Sequence, residues 1–443
     1  MTEELMGASH TKQGSLGWGS LATLGIAFAA AGCFAPWSFG IDEAGWSGML
    51  AAFAIVAAFY LCLLLCLAEL ASTIPSAGAG QAFASRAFGP AIGFIAGAAS
   101  LIQYVCGTSA LGFLVASYLQ ALTGIDVRLS IVFLYVVVVF VHTRGVRDAT
   151  TLTIVLSLLA IVGVMLFAVV TGHSINWSTG FDALRYSGIV PKQVWAALPF
   201  AVTFLLGLEG VPFAAEEARD PTRDVPRGLF IALAVTVTLG VLVLVTAPAG
   251  AGLPALKGSG APLMAALASP GVNASRITII AVNAAGLCGI GVSFFSSIFG
   301  YSRQVAAMAN DGELPRFLGR LNRKDVPVYA LLVPSAIGLV VALSGKLDQL
   351  IVLMVFAGAI SYLTIFASFV GLRIRAPALE RPYRVKGGIA VAFTGLLLGA
   401  LIFSACILAD LTWSLIGAVM LLILLAYRLF ASRQNRLNAS SLG

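Results

Sequence analysis

Within the stretch 194–227, a single acid, Glu209, stands in an otherwise apolar run, with Gly207 and Gly210 beside it and Pro212 close behind. Glycine and proline weaken a helix, and a carboxylate at mid-bilayer is costly unless it faces a cavity or a partner. Together they point to an interrupted membrane helix that presents a charged group to a binding site. The chemistry open to Glu209 is of two kinds: holding an ammonium group directly, or carrying a coupling proton. A third reading is a structural acid bonded to neighbouring backbone.

The elements that must position this acid follow from composition. The chain has 443 residues, 59% hydrophobic and only 10% charged, against about 25% charged in a soluble domain. At roughly 20 apolar residues per crossing, this length holds about a dozen helices and no sizeable soluble domain. Hydropathy places spans at 18–40, 46–70, 91–121, 128–143, 149–172, 194–216, 227–250, 275–308, 327–344, 350–372, 388–408 and 411–430. The expected fold is an all-α integral membrane protein of twelve helices. It forms a single transporter domain over 18–430 between tails at 1–17 and 431–443.

Charge sets the orientation. Arg128, Arg185, Lys192, Lys257, Arg276 and Lys346 fall on one side, and the other 20 of the 26 basic residues fall on the opposite side. The positive-inside rule then puts both termini in the cytoplasm, in a multi-pass protein of the inner (plasma) membrane. The same distribution explains the net charge of +7 without invoking nucleic acid. The first apolar run is too long for a signal peptide, so the N-terminus is expected to be retained.

Span 1 carries its own weak point, Gly32 and Pro36 in AAAGCFAPWSFG, five spans before the one at Gly207, Gly210 and Pro212. Interruptions at matched positions are the pattern of an inverted-repeat transporter. The expected layout is a 5+5 inverted repeat over about 18–172 and 194–372, with spans 1 and 6 broken and two extra helices over 388–430. Unwinding frees backbone groups that must find partners in lipid. Around Ala31, Gly32 and Cys33 the freed N–H groups sit at a positive half-helix end, suited to a carboxylate or hydroxyl oxygen. Around Leu205, Leu206 and Gly207 the freed carbonyls would suit an ammonium. The alternative is a glycine face for helix packing. Phe200 and Phe204 offer rings for cation–π contact, although phenylalanine is so common in membrane helices that lipid or core packing is the better account of both.

Three long stretches carry a resemblance: AELASTIPSAGAGQAFASRAFGP (68–90), EEARDPTRDVPRG (216–228) and GYSRQVAAMANDGELPRFLGRLNRKDVPV (300–328). In that order they resemble the amino acid–polyamine–organocation (APC) superfamily of transporters over essentially the whole chain. GWGSLATLGIAF, AALPFAVTFLLGLEGVPFAAEEARDP and LERPYRVKGG are most similar to ethanolamine permeases. Those permeases often carry an acidic or second polar residue where this chain has Ala31-Gly32-Cys33-Phe34, which puts the same substrate in question. The resemblance implies a pocket opposite span 6 lined by Gln103, Tyr104 and Thr108, spaced to share one helical face. It also implies that Glu209 occupies the place of a coupling glutamate in the arginine/agmatine antiporters.

The coupling lysine that some relatives place in span 5 is absent. Sodium-coupled members use hydroxyls in spans 1 and 8, for which Ser293, Ser296 and Ser297 are the candidates, so sodium ranks behind a proton or an exchanged substrate. The charged cluster Glu216, Glu217, Arg219, Asp220, Arg223, Asp224 and Arg227 is expected to form salt bridges favouring inward closure rather than a substrate site. The function expected is secondary active transport, by alternating access, of a small amine such as ethanolamine or of a neutral or cationic amino acid.

Other classes lack their chemistry. His10, His142 and His173 have no clustered partners, so neither a metal site nor an enzyme's nucleophile–base pair is expected, and no cofactor is implied. The six cysteines (Cys33, Cys62, Cys66, Cys106, Cys288, Cys406) lie inside spans without metal-ligand spacing. No phosphate-binding loop suggests ATP drive, and no charged ring or filter repeat suggests a channel.

Overall fold

The computed structural model describes residues 14, 16–34, 37–144, 149–182, 184, 188–324 and 326–440. Pro36 lies outside them, as do Lys12, Arg147, Arg185 and the side chains of Arg433 and Arg436. The described residues form helices, joined by turns and by one isolated bridge between Leu16 and Ala218. Eight helices are long and apolar enough to cross a membrane, and Trp18–Cys33, Val127–Thr143 and Val328–Ala342 are shorter apolar ones. The interrupted segment from Pro191 to Glu217 occupies the place of span 6. The chain is an all-α, multi-span membrane protein.

One boundary differs from expectation. The helix Trp37–Thr73 runs through the expected gap between spans 1 and 2 and turns only at Gly45, where φ is 66° and ψ −176°. A positive φ of this kind is open to glycine at little cost, so the chain reverses there without a loop. Hydropathy ended span 1 too early because Asp42 and Glu43 lower the average just before that turn.

Apolar side chains mark the surface that meets lipid. On span 4, Leu129, Phe133, Val136 and Phe140 are all exposed, at the 4-3-4 spacing of a helix face. Such a stripe is stable in hydrocarbon and would be a liability in water. Span 3, Pro90–Thr123, is the reverse case: it is buried along most of its length and packs against spans 8 and 10. Its small residues Gly93, Ala96, Gly97, Ala98 and Ala99 are buried, which lets neighbouring helices approach closely.

The end of the bundle rich in arginine, here the basic end, is tied together by buried polar contacts. Glu69, at the close of span 2, is 2% exposed. It accepts from Arg373 Nε at 2.9 Å and Nη2 at 2.5 Å, lies 3.3 Å from Arg381 Nε, and accepts from the Val385 N–H at 2.8 Å. The connection after span 10 is thereby pinned to span 2. Gln81 Nε2 donates to Asp311 Oδ2 at 3.1 Å and to Glu313 Oε2 at 3.0 Å, and Arg428 of span 12 lies 3.9 Å from Glu313. Burial holds the Glu313 carboxyl above the usual carboxylate range despite these partners.

The Glu69 cluster generates a test of stability. Glu69→Ala leaves two largely buried guanidinium groups without their carboxylate, a change that costs about 3–5 kcal/mol in comparable sites. Thermal unfolding of the purified protein in detergent should show a clear drop in midpoint. An unchanged midpoint would mean that Arg373 and Arg381 are satisfied without Glu69.

Candidate functional site

The two interruptions meet. Span 1 is helical over Trp18–Ala29 and tightens to a 3₁₀ turn over Ala30–Cys33. Span 6 is helical over Pro191–Val202, turns through 203–207, and continues as a 3₁₀ segment over Leu208–Glu217. Gly207, at φ 102°, makes a turn that side chains resist. Gly32 sits directly on this turn: a β-carbon built there would lie 2.5 Å from Phe204 Cα and 2.6 Å from the Thr203 carbonyl oxygen.

The freed backbone groups of span 1 find partners within the protein. The Ala31 N–H donates to Ser293 Oγ at 2.9 Å, and Ser293 donates in turn to the Ala27 carbonyl at 2.7 Å. Trp37 Nε1 donates to the Cys33 carbonyl at 3.1 Å, and the Tyr118 hydroxyl to that of Phe34 at 2.7 Å. In span 6 the Leu205 carbonyl accepts from the Leu208 N–H at 3.3 Å, and the Gly207 carbonyl from the Gly210 N–H at 2.7 Å. Two of the three carbonyls expected to face an ammonium, those of Leu205 and Gly207, are thus already engaged, each paired with an N–H three residues on.

Glu209 is 6% exposed and accepts three hydrogen bonds. Gln103 Nε2 donates to Oε1 at 2.6 Å, the Tyr362 hydroxyl to Oε1 at 2.7 Å, and the Gly207 N–H to Oε2 at 2.9 Å. Gln103 Nε2 also reaches the Tyr362 oxygen at 2.8 Å, and Tyr60 lies 3.2 Å from it. All the donors are neutral. Tyr60 and Tyr362 were not legible as site residues. They lie in spans 2 and 10 amid apolar sequence, and only the packing of those spans brings them to the acid.

Beside this network lies a cavity of about 50 Å³. Ala31 and Gly32 of span 1, Gln103 and Tyr104 of span 3, and Leu206 and Gly207 of span 6 line it, together with Phe28, Thr203, Ser297, Ile351 and Met354. Among the described residues no charged side chain lines it; Glu209 is reached through the Gln103 amide and the Gly207 N–H, both at the cavity wall. Tyr104 OH is buried with no hydrogen-bond partner among the described residues.

Four other candidates face elsewhere. Cys33 lines a separate small space with Ala160 and Leu239. Thr108 donates to the Val105 carbonyl at 2.9 Å and lies by Gly338, on another side of span 3. Gln103 and Thr108 are five residues apart and so diverge by about 140° around a helix of 3.6 residues per turn, which defeats the expected shared face. Phe204 stacks on Trp37 and meets Phe53 edge-on, while Leu205 is fully buried. The three serines of span 8 also diverge: Ser293 serves span 1, Ser297 lines the central cavity, and Ser296 lines a different chamber with Arg303.

The basic end beneath the cavity is shut by backbone and charge. The Leu16 N–H donates to the Glu217 carbonyl and the Arg219 N–H to that of Leu16, at 2.9 and 2.8 Å. Glu217 pairs with Arg303 of span 8, and the Ala77 N–H donates to Glu216 Oε1 at 2.8 Å.

The contact at Gly32 can be tested with the smallest side chain. The geometry predicts that Gly32→Ala already forces the two interruptions apart, at about 1–3 kcal/mol for overpacking. A lowered melting point for Gly32→Ala without any added ligand is the expected result, and wild-type stability would contradict it.

Comparison with known proteins agrees with this architecture. Residues 16–434 match the family described as amino acid permease. An uncharacterized transporter of Mycobacterium tuberculosis is 31% identical over 337 residues, or 75% of this chain and 72% of the relative. A branched-chain amino acid permease of Bacillus subtilis is 26% identical over 458 residues, covering 96% of this chain and 94% of its own. The mitochondrial cationic amino acid transporter 3 of Arabidopsis thaliana is 26% identical over 340 residues, or 72% of this chain and 55% of its own. With the family matched over nearly the whole chain, this protein belongs to the amino acid permeases of the APC superfamily.

Proposed function

We propose that this permease moves neutral amino acids with an apolar side chain across the plasma membrane, by alternating access around the cavity between spans 1, 3, 6 and 10. The observation that carries the reading is the lining of that cavity. Leu111, Leu114, Leu206, Ile351 and Met354 suit an aliphatic side chain, and among the described residues no charged side chain lines the cavity to meet a net charge on the substrate. A zwitterion carries its own compensating charges, whereas a cationic amino acid or a bare amine would enter without a counter-ion. The branched-chain permease of B. subtilis supports the same substrate class. Ethanolamine remains a second reading, favoured by the stretches GWGSLATLGIAF and LERPYRVKGG.

The paired interruptions of spans 1 and 6 support the 5+5 inverted-repeat layout, with both termini in the cytoplasm as the basic loops suggest. In that orientation the laced basic end is the cytoplasmic side. For coupling, Glu209 is the candidate and a proton the candidate ion. A proton arriving at Glu209 disturbs neutral donors only, whereas one arriving at Glu69 would break two ion pairs, so Glu209 is the acid suited to cycle. Divergence of Ser293, Ser296 and Ser297 weighs against a single sodium site built on them.

Uptake into proteoliposomes tests both parts. Labelled leucine should accumulate when the outside is acidified, unlabelled valine and isoleucine should compete, and lysine and ethanolamine should compete at least tenfold less well. Stronger competition by ethanolamine would transfer the assignment to the second reading. Glu209→Gln should abolish pH-driven accumulation while leaving leucine exchange, and a variant that still accumulates leucine in response to pH would remove Glu209 from coupling.

A further inference from the structure

Leu114 and Leu347 form one wall of the central cavity. The same two side chains also wall a second chamber of about 240 Å³, on the side away from the basic end. The space beside Glu209 thus adjoins the outer chamber across Leu114 and Leu347 and shares no wall residue with the chamber at Arg303.

The outer chamber is built from structured parts. Ser117 and Tyr118 belong to span 3, Gly260 and Met264 to the connection before span 8, and Asn283 to span 8. The connection is fastened to the outer part of span 1: Ser38 Oγ donates to the Ser259 carbonyl at 2.6 Å, and the Gly258 N–H to Asp42 Oδ2 at 2.8 Å. Below, the Tyr118 hydroxyl holds the Phe34 carbonyl at the end of the span 1 interruption.

Asn283 is the feature without a structural explanation. It is 4% exposed, and its Oδ1 has no hydrogen-bond partner among the described residues. Buried side-chain amides are normally bonded, because an unpaired oxygen forfeits its hydration. A helix facing its neighbours through Gly286 and Gly289 has no packing need for asparagine in the same row, where leucine or alanine would serve. Nearby, Ser117 spends its hydrogen on the Phe113 carbonyl at 2.9 Å and retains lone pairs. Both side chains therefore offer acceptors, while Met264, Phe113, Leu114 and Leu347 supply apolar walls and no charged side chain intervenes.

We propose that this outer chamber is a second, transient binding site for the substrate's ammonium group, received by Asn283 Oδ1 before the substrate passes Leu114 and Leu347 to the central cavity. The proposal rests on the permease reading and adds a residue far from the interruptions that governs capture. Asn283 touches neither the central cavity nor the Glu209 network, so its contribution falls on substrate entry rather than on the transport step.

The test uses the full chain in proteoliposomes, with labelled leucine and labelled ethanolamine as probes. Asn283→Leu should raise the KM for leucine about tenfold with little change in maximal rate, the pattern of lost binding without lost turnover. Its melting point should not fall below wild type, since an unpaired polar group is removed. Asn283→Asp, close to the original in size, should act in the opposite direction and lower the KM for ethanolamine severalfold. Saturable wild-type uptake with a KM unaltered in both variants would overturn the chamber site, leaving it a place for water, while the permease reading stands. If the wild-type protein shows no saturable uptake of either probe, the permease reading for these substrates falls, and the chamber site with it.

Discussion

Everything at the centre of this protein follows from one constraint: a helix that unwinds inside a bilayer releases backbone groups that no water can satisfy. Here two helices unwind against each other, and Gly32 is the point of contact. With no side chain there, the backbone of span 1 can lie on Thr203 and Phe204, which puts the two interruptions in direct contact. Ser293, Trp37, Tyr118 and Glu209 then each take up a group that the unwinding released. These bonds tie span 1 to spans 3 and 8, and the Gln103 amide on Glu209 ties span 6 to span 3.

The two buried acids solve the same problem in different ways. Glu69 is neutralised by Arg373 and Arg381, so its charge is a fixed part of the clamp that holds the connection after span 10. Glu209 is surrounded by an amide, a phenol and a backbone N–H, with no cation in contact among the described residues. Dipoles of this kind can reorient when the charge they face changes, whereas an ion pair must come apart. Gln103 stands between the acid and the cavity, and Tyr362 links both to span 10. A change at Glu209 is therefore felt at the cavity wall through the Gln103 amide and the Gly207 N–H, and at spans 2 and 10 through two phenols.

The chambers show an asymmetry that a symmetric reading of the paired spans would not predict. One side of the central cavity is walled off from the basic end, where a backbone bridge at Leu16 and an ion pair between Glu217 and Arg303 draw spans 1, 6 and 8 together. On the opposite side Leu114 and Leu347 are shared with the outer chamber. The cluster at 216–227 contributes to this less through pairs among its own members than through Glu216 and Glu217. Its Arg223–Asp220 pair is exposed and long, at 3.8 Å, and such surface pairs contribute little.

The sequence by itself determined what depends on averages and on local backbone chemistry. Hydropathy located the membrane helices because each must present about 20 apolar residues to lipid, and it erred at Gly45 because two acids lie beside a turn that only conformation reveals. Gly32, Gly207 and Pro212 announced the interruptions, since their effect on a helix is local. Six of the candidate residues, Ala31, Gly32, Gln103, Tyr104, Leu206 and Gly207, share one cavity for the same reason: each is at an interruption or on the helix face opposite. Tertiary structure alone decided which partner meets which group. Tyr60 and Tyr362 lie 302 residues apart, Ala31 and Ser293 lie 262 apart, and no periodicity links such pairs. The five-residue spacing already kept Gln103 and Thr108 from sharing a face, but only the rotation of span 3 about its axis chose Gln103 as the one turned to the cavity, and the engagement of the Leu205 and Gly207 carbonyls depended on the local winding of span 6. Those are outcomes of packing, which a one-dimensional pattern does not encode.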